Sequence, residues 1–126
     1  MSASRTVTVQ TDDHGLVTLD EPHWCLGEHP AEGYRADITH EGEEYPLVVP
    51  TPCHGEVRIA LASLVQRPFS PYDARILAAV EFDELHEYDS ASLAGLLDAL
   101  VAWAVGPGHL LVERLQLLEG DGGGQR

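Results

Sequence analysis

The sequence predicts an α+β domain in which an antiparallel sheet of about five or six strands packs on a Leu-rich C-terminal helix. Before residue 83, several short segments place apolar residues at every second position, with turn residues between them. Residues 89–118 instead repeat apolar side chains at helical spacing. The length of 126 residues suits one domain, which we expect over residues 1–119, followed by a flexible Gly-rich tail over residues 120–126.

The first two predicted strands form a β-hairpin. Residues 5–9 and 16–19 show the alternation, and residues 12–15 (Asp-Asp-His-Gly) have the chemistry of a turn. A polar segment with several Pro and Gly residues follows, over residues 20–33, and is expected to be a loop. We identify no internal repeat of 20–50 residues.

Two further strands are predicted after the loop. Residues 34–40 alternate, so that His40 shares a face with Tyr34, Ala36 and Ile38. Residues 45–49 are expected to form the return strand, in which Pro46 indicates an edge position or a bulge. The face that contains His40 is therefore expected to point into the core.

The middle of the chain gives two different patterns. Residues 57–65 place apolar side chains on one helical face, which favours a short helix, although residues 57–59 also fit a strand. Residues 76–82 are apolar on both sides, as in a strand that is covered on two faces. We therefore expect residues 76–82 at the centre of the sheet.

The C-terminal third predicts two helices. Asp89 or Ser90 can cap the first, whose apolar positions follow helical spacing until Gly106-Pro107-Gly108 ends it. A second, shorter helix is expected over residues 110–118. Its leucines and those of the first helix are expected to cover the sheet, while surplus faces could pair two copies in a homodimer or bind a partner helix.

The charge and cysteine content narrow the function classes. The chain has 21 acidic residues, seven arginines and no lysine, for a net charge of −14, which repels nucleic acids and anionic lipid surfaces. Two cysteines and no secretory signal indicate a reducing cytoplasm. The longest apolar stretch, residues 59–65, is too short to span a bilayer. We expect a cytoplasmic protein that binds neither nucleic acid nor membrane.

Residues 81–89 form the densest acidic strip, with five acids and no basic residue other than a histidine. Such a run usually faces water. The functional interpretation is a binding strip for a basic partner, as in an acidic mimic or an antitoxin-like neutraliser.

The loop after the first hairpin contains side chains that bind metals. Cys25 and His29 are four positions apart, which a tight turn can bring onto one ion, and His40 could add a ligand from its inward-facing strand position. Zinc prefers thiolate and imidazole ligands and takes four of them in a structural site. These residues therefore predict a structural zinc site.

The segment Glu21-Pro22-His23-Trp24-Cys25, together with His29 and residues 37–42 (Asp-Ile-Thr-His-Glu-Gly), resembles a family of small actinobacterial proteins of unknown function. The shared pattern is Cys-Pro-x-Trp-Cys, a nearby His and a later His that opens a hairpin. This chain departs from it at Glu21, which stands where the first cysteine is expected. A carboxylate can bind zinc, so the resemblance implies a ligand set of Glu21, Cys25, His29 and His40. His14, His23, Cys53 or His54 could supply the fourth ligand instead.

Other interpretations of these residues remain. Cys25 and His40 can be ordinary core residues, and Trp24 can anchor the loop on the core. Cys25, His29 and Asp37 can be arranged as a thiol hydrolase, but no hydrolase signature, P-loop, Rossmann fingerprint or nucleophile elbow is present. We expect a non-catalytic accessory or regulatory protein that acts through contacts with an unidentified protein partner.

Overall fold

The structure, a computed structural model, describes residues 5–30, 33–83 and 86–122. In these residues six strands form two antiparallel sheets beside one long C-terminal helix, which confirms the predicted α+β class. The strands are β1 (Arg5–Thr11), β2 (Gly15–Glu21), β3 (His40–Glu41), β4 (Tyr45–Thr51), β5 (Gly55–Gln66) and β6 (Leu77–Phe82). The helices are a 3₁₀ turn (Arg35–Asp37), α1 (Ser90–Trp103) and α2 (His109–Gly122).

The predicted hairpin is confirmed as β1 and β2, which form a sheet of their own. Gly15 ends the turn with a φ of 64°, a left-handed conformation that favours glycine. The Thr11 hydroxyl donates to the Gly15 carbonyl and accepts from the His14 amide. The register pairs Arg5 with Glu21 at the open end of the hairpin.

The same turn recurs forty positions later, between β4 and β5, in a repeat that the sequence analysis missed. Thr51 takes the place of Thr11: its hydroxyl donates to the Gly55 carbonyl and accepts from the His54 amide. Gly55 has a φ of 65°. The motif Thr-x-x-His-Gly thus closes both hairpins. The repeat is recognised from the positions of threonine and glycine, and not from the overall sequence identity of the two segments.

The second sheet is built on β5, which corrects the helix that was predicted for residues 57–65. β4 pairs with one edge of β5, and β3 pairs with the same edge further along β5. β6 pairs with the opposite edge of β5. Ala60, Ala62 and Leu64 alternate on the buried face of β5. Apolar residues at every position of a central strand also satisfy a helical spacing, and the neighbouring strands decide between the two.

Two other predicted strands are also corrected. β6 lies at an edge of the sheet, not at its centre, and most of its residues are exposed. Within residues 34–40, Arg35–Asp37 form a 3₁₀ turn, and only His40 lies in a strand, the two-residue β3. The amides of Asp37 and Ile38 bond locally to the carbonyls three residues earlier, and so need no partner strand. Pro46 lies in β4, an edge strand with a register shift, as expected.

The capped N-terminus of the first helix is confirmed. Asp89 is the N-cap of α1: its carboxylate accepts from the Ser92 amide, while the Ser92 hydroxyl accepts from the Asp89 amide. This reciprocal pair is a capping box. α2 extends to Gly122, and the last four residues of the predicted tail lie outside the described part of the chain.

Gly106-Pro107-Gly108 does not end the helix, contrary to the prediction. Ala104–Gly108 form a π-turn, in which the His109 amide bonds to the Ala104 carbonyl. The wider turn accommodates a proline that would otherwise collide with the preceding carbonyls. The extra residue in this turn also shifts the side chains that follow it by about 100° around the helix axis. Leu111 and Leu115 therefore face the second sheet, as Trp103 does.

Three clusters of buried side chains hold these elements together. The hairpin has its own cluster, in which Val9 and Leu19 pack against Ile38. The other two lie between the second sheet and the helix, and Trp103 packs against both. The Trp103 indole also donates to the Tyr45 carbonyl, at 3.3 Å.

By length and composition the continuous helix could cross a membrane, since Ser90–Gly120 spans 31 residues and its most apolar window has a mean hydropathy of 1.5. The sequence analysis, which ends the first helix at Gly106, does not anticipate this. Only 6% of that window is buried inside the protein, so the helix is not a buried core helix, and length and composition by themselves assign it no location.

Candidate metal centre

Glu21 stands at the junction of the two sheets. It is the last residue of β2, and its side chain is only 4% exposed. The alternation of β2 turns Glu21 to the same side as buried Leu19, toward the rest of the domain. A carboxylate in this position needs compensating partners.

The loop that follows brings Cys25 next to Glu21. The Cys25 amide bonds to the Pro22 carbonyl and the Leu26 amide to the Glu41 carbonyl, which fixes the loop against β3. Trp24 is buried in the cluster under the helix, as expected for an anchor of the loop. A Cβ on Gly42 would stand 3.2 Å from the Trp24 carbonyl, so glycine permits this close approach.

Two histidines complete the group. The Nε2 atom of His29 lies 2.7 Å from Glu21 Oε1, and Nδ1 of His40 lies 3.1 Å from the same oxygen. Cys25 Sγ is 3.9 Å from His29 Nε2. The two imidazole rings are 5.5 Å apart and nearly perpendicular. Both histidine side chains are almost fully buried; Nδ1 of His29 has no hydrogen-bond partner, and the contact of His40 Nδ1 with Glu21 lacks the geometry of a hydrogen bond.

These four side chains could hold a metal ion. Each offers one ligand atom, and the four atoms lie within 4.8 Å of one another. In a tetrahedral zinc site, neighbouring oxygen and nitrogen ligands are about 3.3 Å apart and sulfur and nitrogen ligands about 3.6 Å. The two oxygen–nitrogen separations, 2.7 and 3.1 Å, are shorter than the first value, and the sulfur–nitrogen separation, 3.9 Å, is longer than the second. Small movements of the side chains would place all four around one ion.

The protonation states in this cluster suit metal binding. Burial raises the pKa of the Cys25 thiol and lowers the pKa of His40, so both groups are neutral at pH 7. Burial alone would raise the pKa of Glu21, but hydrogen bonds from His29 and Cys25 outweigh it and lower that pKa. The cluster thus presents one carboxylate, a neutral imidazole that can bind an ion through a ring nitrogen, and a thiol whose proton a metal ion can displace.

Arg5 and Gly27, which the sequence analysis did not single out, support the ligands from outside. Arg5 Nη2 donates to the Cys25 carbonyl at 2.7 Å and lies 4.0 Å from Glu21 Oε2. The Gly27 amide donates to Cys25 Sγ at 3.3 Å. A signal for Arg5 was present, because continuing the pairing outward from the turn at residues 12–15 places Arg5 opposite Glu21, as the observed register does. The signal for Gly27 was the Cys-x-Gly order, because a glycine amide in this position can reach the cysteine sulfur two residues earlier.

A cleft of about 600 Å³ gives access to one side of the cluster. Glu21 and His40 contribute to its wall, together with Pro68 and Phe69 from the segment after β5. Arg35 stacks on the Phe69 ring at 4.0 Å. The cleft provides a route by which an ion could enter.

The alternative fourth ligands lie elsewhere. In the described part of the chain, the group that could hold a metal consists of the four residues above and includes none of the alternatives, which are His14, His23, Cys53 and His54. All four alternatives are exposed. His54 instead packs edge to face against His86, with ring centroids 6.0 Å apart.

The structure does not assemble Cys25, His29 and Asp37 as a thiol hydrolase would require. His29 contacts Glu21 rather than Asp37, which is exposed on the 3₁₀ turn. A thiol whose pKa is raised by burial is also a weak nucleophile at pH 7.

The acidic strip at residues 81–89 is partly engaged within the chain. Asp83 lies 3.5 Å from His86 and Asp89 caps α1. Residues 84 and 85 of the strip lie outside the described residues. The basic-partner interpretation stays a prediction.

Comparison with known proteins identifies one family. Residues 6–109 match the model of a domain of unknown function (DUF6907), a range that includes all four candidate ligands. A family of unknown function was expected; its ligand motif and origin stay predictions. No curated protein and no solved structure shows significant similarity.

Proposed function

We propose that this chain, which belongs to the DUF6907 family, is a non-catalytic accessory protein that acts through protein contacts and binds one structural zinc ion. The ligands are Glu21, Cys25, His29 and His40. The observation that carries the zinc assignment is the convergence of their four ligand atoms within 4.8 Å in a buried position.

The chemistry of the ligands favours zinc over the hard cations. A thiolate and two imidazoles suit Zn²⁺, whereas Ca²⁺ and Mg²⁺ require mostly oxygen ligands. The charges also balance, because a thiolate from Cys25 and the carboxylate of Glu21 together neutralise a dication. A neutral site avoids the cost of burying a net charge.

The position of the ligands favours a structural role. Four protein ligands fill a tetrahedral site and leave no open position for a substrate. Glu21 comes from the first sheet, His40 from the second, and the other two from the loop between them. A zinc ion here would fix the hairpin and the loop to the rest of the domain.

The metal content of the purified protein tests the zinc assignment. We expect one zinc per chain by elemental analysis after purification without a metal-affinity column. Cys25→Ala is expected to lose most of the zinc, while Cys53→Ser, at the exposed cysteine, keeps it. Folded wild-type protein that contains no zinc and takes up none on addition would contradict the proposal.

A chelator test separates a structural zinc from a passively bound one. Removal of the ion with excess chelator is expected to lower the unfolding temperature, because binding to the folded state alone stabilises it. Re-addition of zinc should restore the temperature. An unchanged unfolding temperature after full removal would show that the ion has no structural role.

A further inference from the structure

The outward side of α1 is an uncovered apolar surface. Leu96, Ala99 and Trp103 pack toward the second sheet. Around the rest of the helix surface, apolar residues recur at helical spacing from Leu93 to Val112 and are between 37% and 71% exposed. We call this set the outer stripe; it consists of Leu93, Leu97, Leu100, Val101, Val105 and Val112.

The outer stripe is nearly free of charge in a strongly acidic protein. Between residues 90 and 112 the only acid is Asp98, and there is no arginine, whereas the whole chain has a net charge of −14. A basic partner would find a single anionic group, Asp98, to pair with along the stripe. Two copies of the chain, in contrast, repel each other least where they carry least charge.

The apolar area matches what a dimer of ordinary size requires. From their exposed fractions, the six side chains leave roughly 550 Å² of apolar surface in water, toward the upper end of the largest patches on monomers. A standard interface buries about 800 Å² on each partner, of which about 65% is apolar in homodimers, or roughly 500 Å². The stripe alone supplies this amount.

We propose that two copies of this chain associate through the outer stripe, with α1 of one copy packed against α1 of the other across a two-fold axis. In such an interface each copy uses the same surface, so apolar stripe meets apolar stripe along its length. This inference rests on the proposed function, because it names a second copy of the chain as a protein partner. It does not depend on the zinc site.

Light scattering after size-exclusion chromatography tests the dimer. The wild-type protein is expected to elute at twice its 13.7 kDa mass at micromolar concentration. Leu97→Glu places a charge in the stripe and is expected to give a monomer. Ala102→Glu adds the same charge at an exposed position of α1 beside the stripe, and is expected to stay dimeric.

Circular dichroism of the same samples shows whether Leu97→Glu is folded. Their zinc content shows whether the metal site is intact, so that a failure of the dimer proposal is distinguished from a failure of the zinc assignment. Folded Leu97→Glu monomer beside a dimeric wild type supports the interface, whatever the zinc content. Wild-type monomer throughout, or a Leu97→Glu variant that is still dimeric, overturns it. Wild-type monomer that floats with vesicles of neutral phosphatidylcholine also overturns it, and would assign the stripe to a lipid surface.

Discussion

Arg5 and Glu21 face each other at the open end of the first hairpin, and the Arg5 guanidinium lies 4.0 Å from Glu21 Oε2. The same guanidinium donates to the Cys25 carbonyl at 2.7 Å. Because half of the Arg5 side chain is exposed, water and salt weaken its attraction to the carboxylate. The hydrogen bond to Cys25 is therefore the firmer of the two contacts, and it orients a candidate metal ligand.

We expect Arg5→Ala to weaken zinc binding about tenfold or more, the usual effect of removing a group that orients a ligand. Competition with a chromophoric chelator measures the affinity. Arg58→Ala is a suitable control, since Arg58 is exposed on β5 away from the loop. Equal affinities in the two variants would contradict a supporting role for Arg5.

Gly27→Ala should also impair the metal centre. Gly27 has a φ of 86°, which a side chain strains, and its amide donates to Cys25 Sγ, so relief of the strain would move a group that contacts a ligand. Gly15→Ala is the matched control, because its φ of 64° is similarly strained but no atom lies within 4 Å of the added Cβ. Both variants are expected to lose about 1 kcal/mol of stability or more. Only Gly27→Ala should lower zinc affinity, as measured by the same competition.

Leu111 is expected to hold the long helix on the second sheet. It is 4% exposed and packs with Trp24 and Leu64, so Leu111→Ala should cost about 2–4 kcal/mol in the free energy of unfolding. Leu117 lies on the same helix but is 70% exposed. Leu117→Ala should change stability by about 0.5 kcal/mol or less. Urea denaturation measures both, and similar losses would refute the packing of α2 described above.

Protonation of Asp89 should loosen the start of α1 in acid. The hydrogen bond from the Ser92 amide lowers the pKa of Asp89 in the folded state. A lowered pKa gives a stabilising contribution that is present at neutral pH and is lost as the pH falls below about 4. The unfolding temperature followed from pH 6 to pH 2 measures it.

Asp89→Asn is the control for this titration, because asparagine keeps a capping oxygen but has no charge. The difference in unfolding temperature between wild type and Asp89→Asn is expected to shrink in acid. A constant difference over the whole range would mean that Asp89 does not contribute through its charge.

Cys25, His29 and His40 could be predicted from the sequence because thiol and imidazole ligands are rare, whereas Glu21 was predicted only from the family resemblance, in which it takes the place of a cysteine. Cys25 and His29 lie in one short loop, and the register of the first hairpin fixes Glu21 at its edge. The burial of His40 was also foreseen, although for the wrong reason. It is buried because a two-residue strand pairs with the end of β5, and not because a long strand alternates through residues 34–40.

The errors in the fold share a physical origin. β5 was predicted to be helical because a central strand is apolar on both faces and then has no period of two. The helix was predicted to end at Gly106 because proline disfavours an α-helix, but a single π-turn allows the chain to continue past Pro107. Each outcome depends on hydrogen-bond partners that a local pattern does not contain.

The separation of the hairpin cluster from the two clusters under the helix has a consequence for the cooperativity of unfolding. The ligands Glu21 and His40 belong to different sheets, so an ion bound to both adds a link between units that otherwise have distinct cores. Protein with bound zinc should then unfold in a single thermal transition. In protein without zinc, the β1–β2 hairpin should unfold first, at lower temperature, before the second sheet and the helix unfold together.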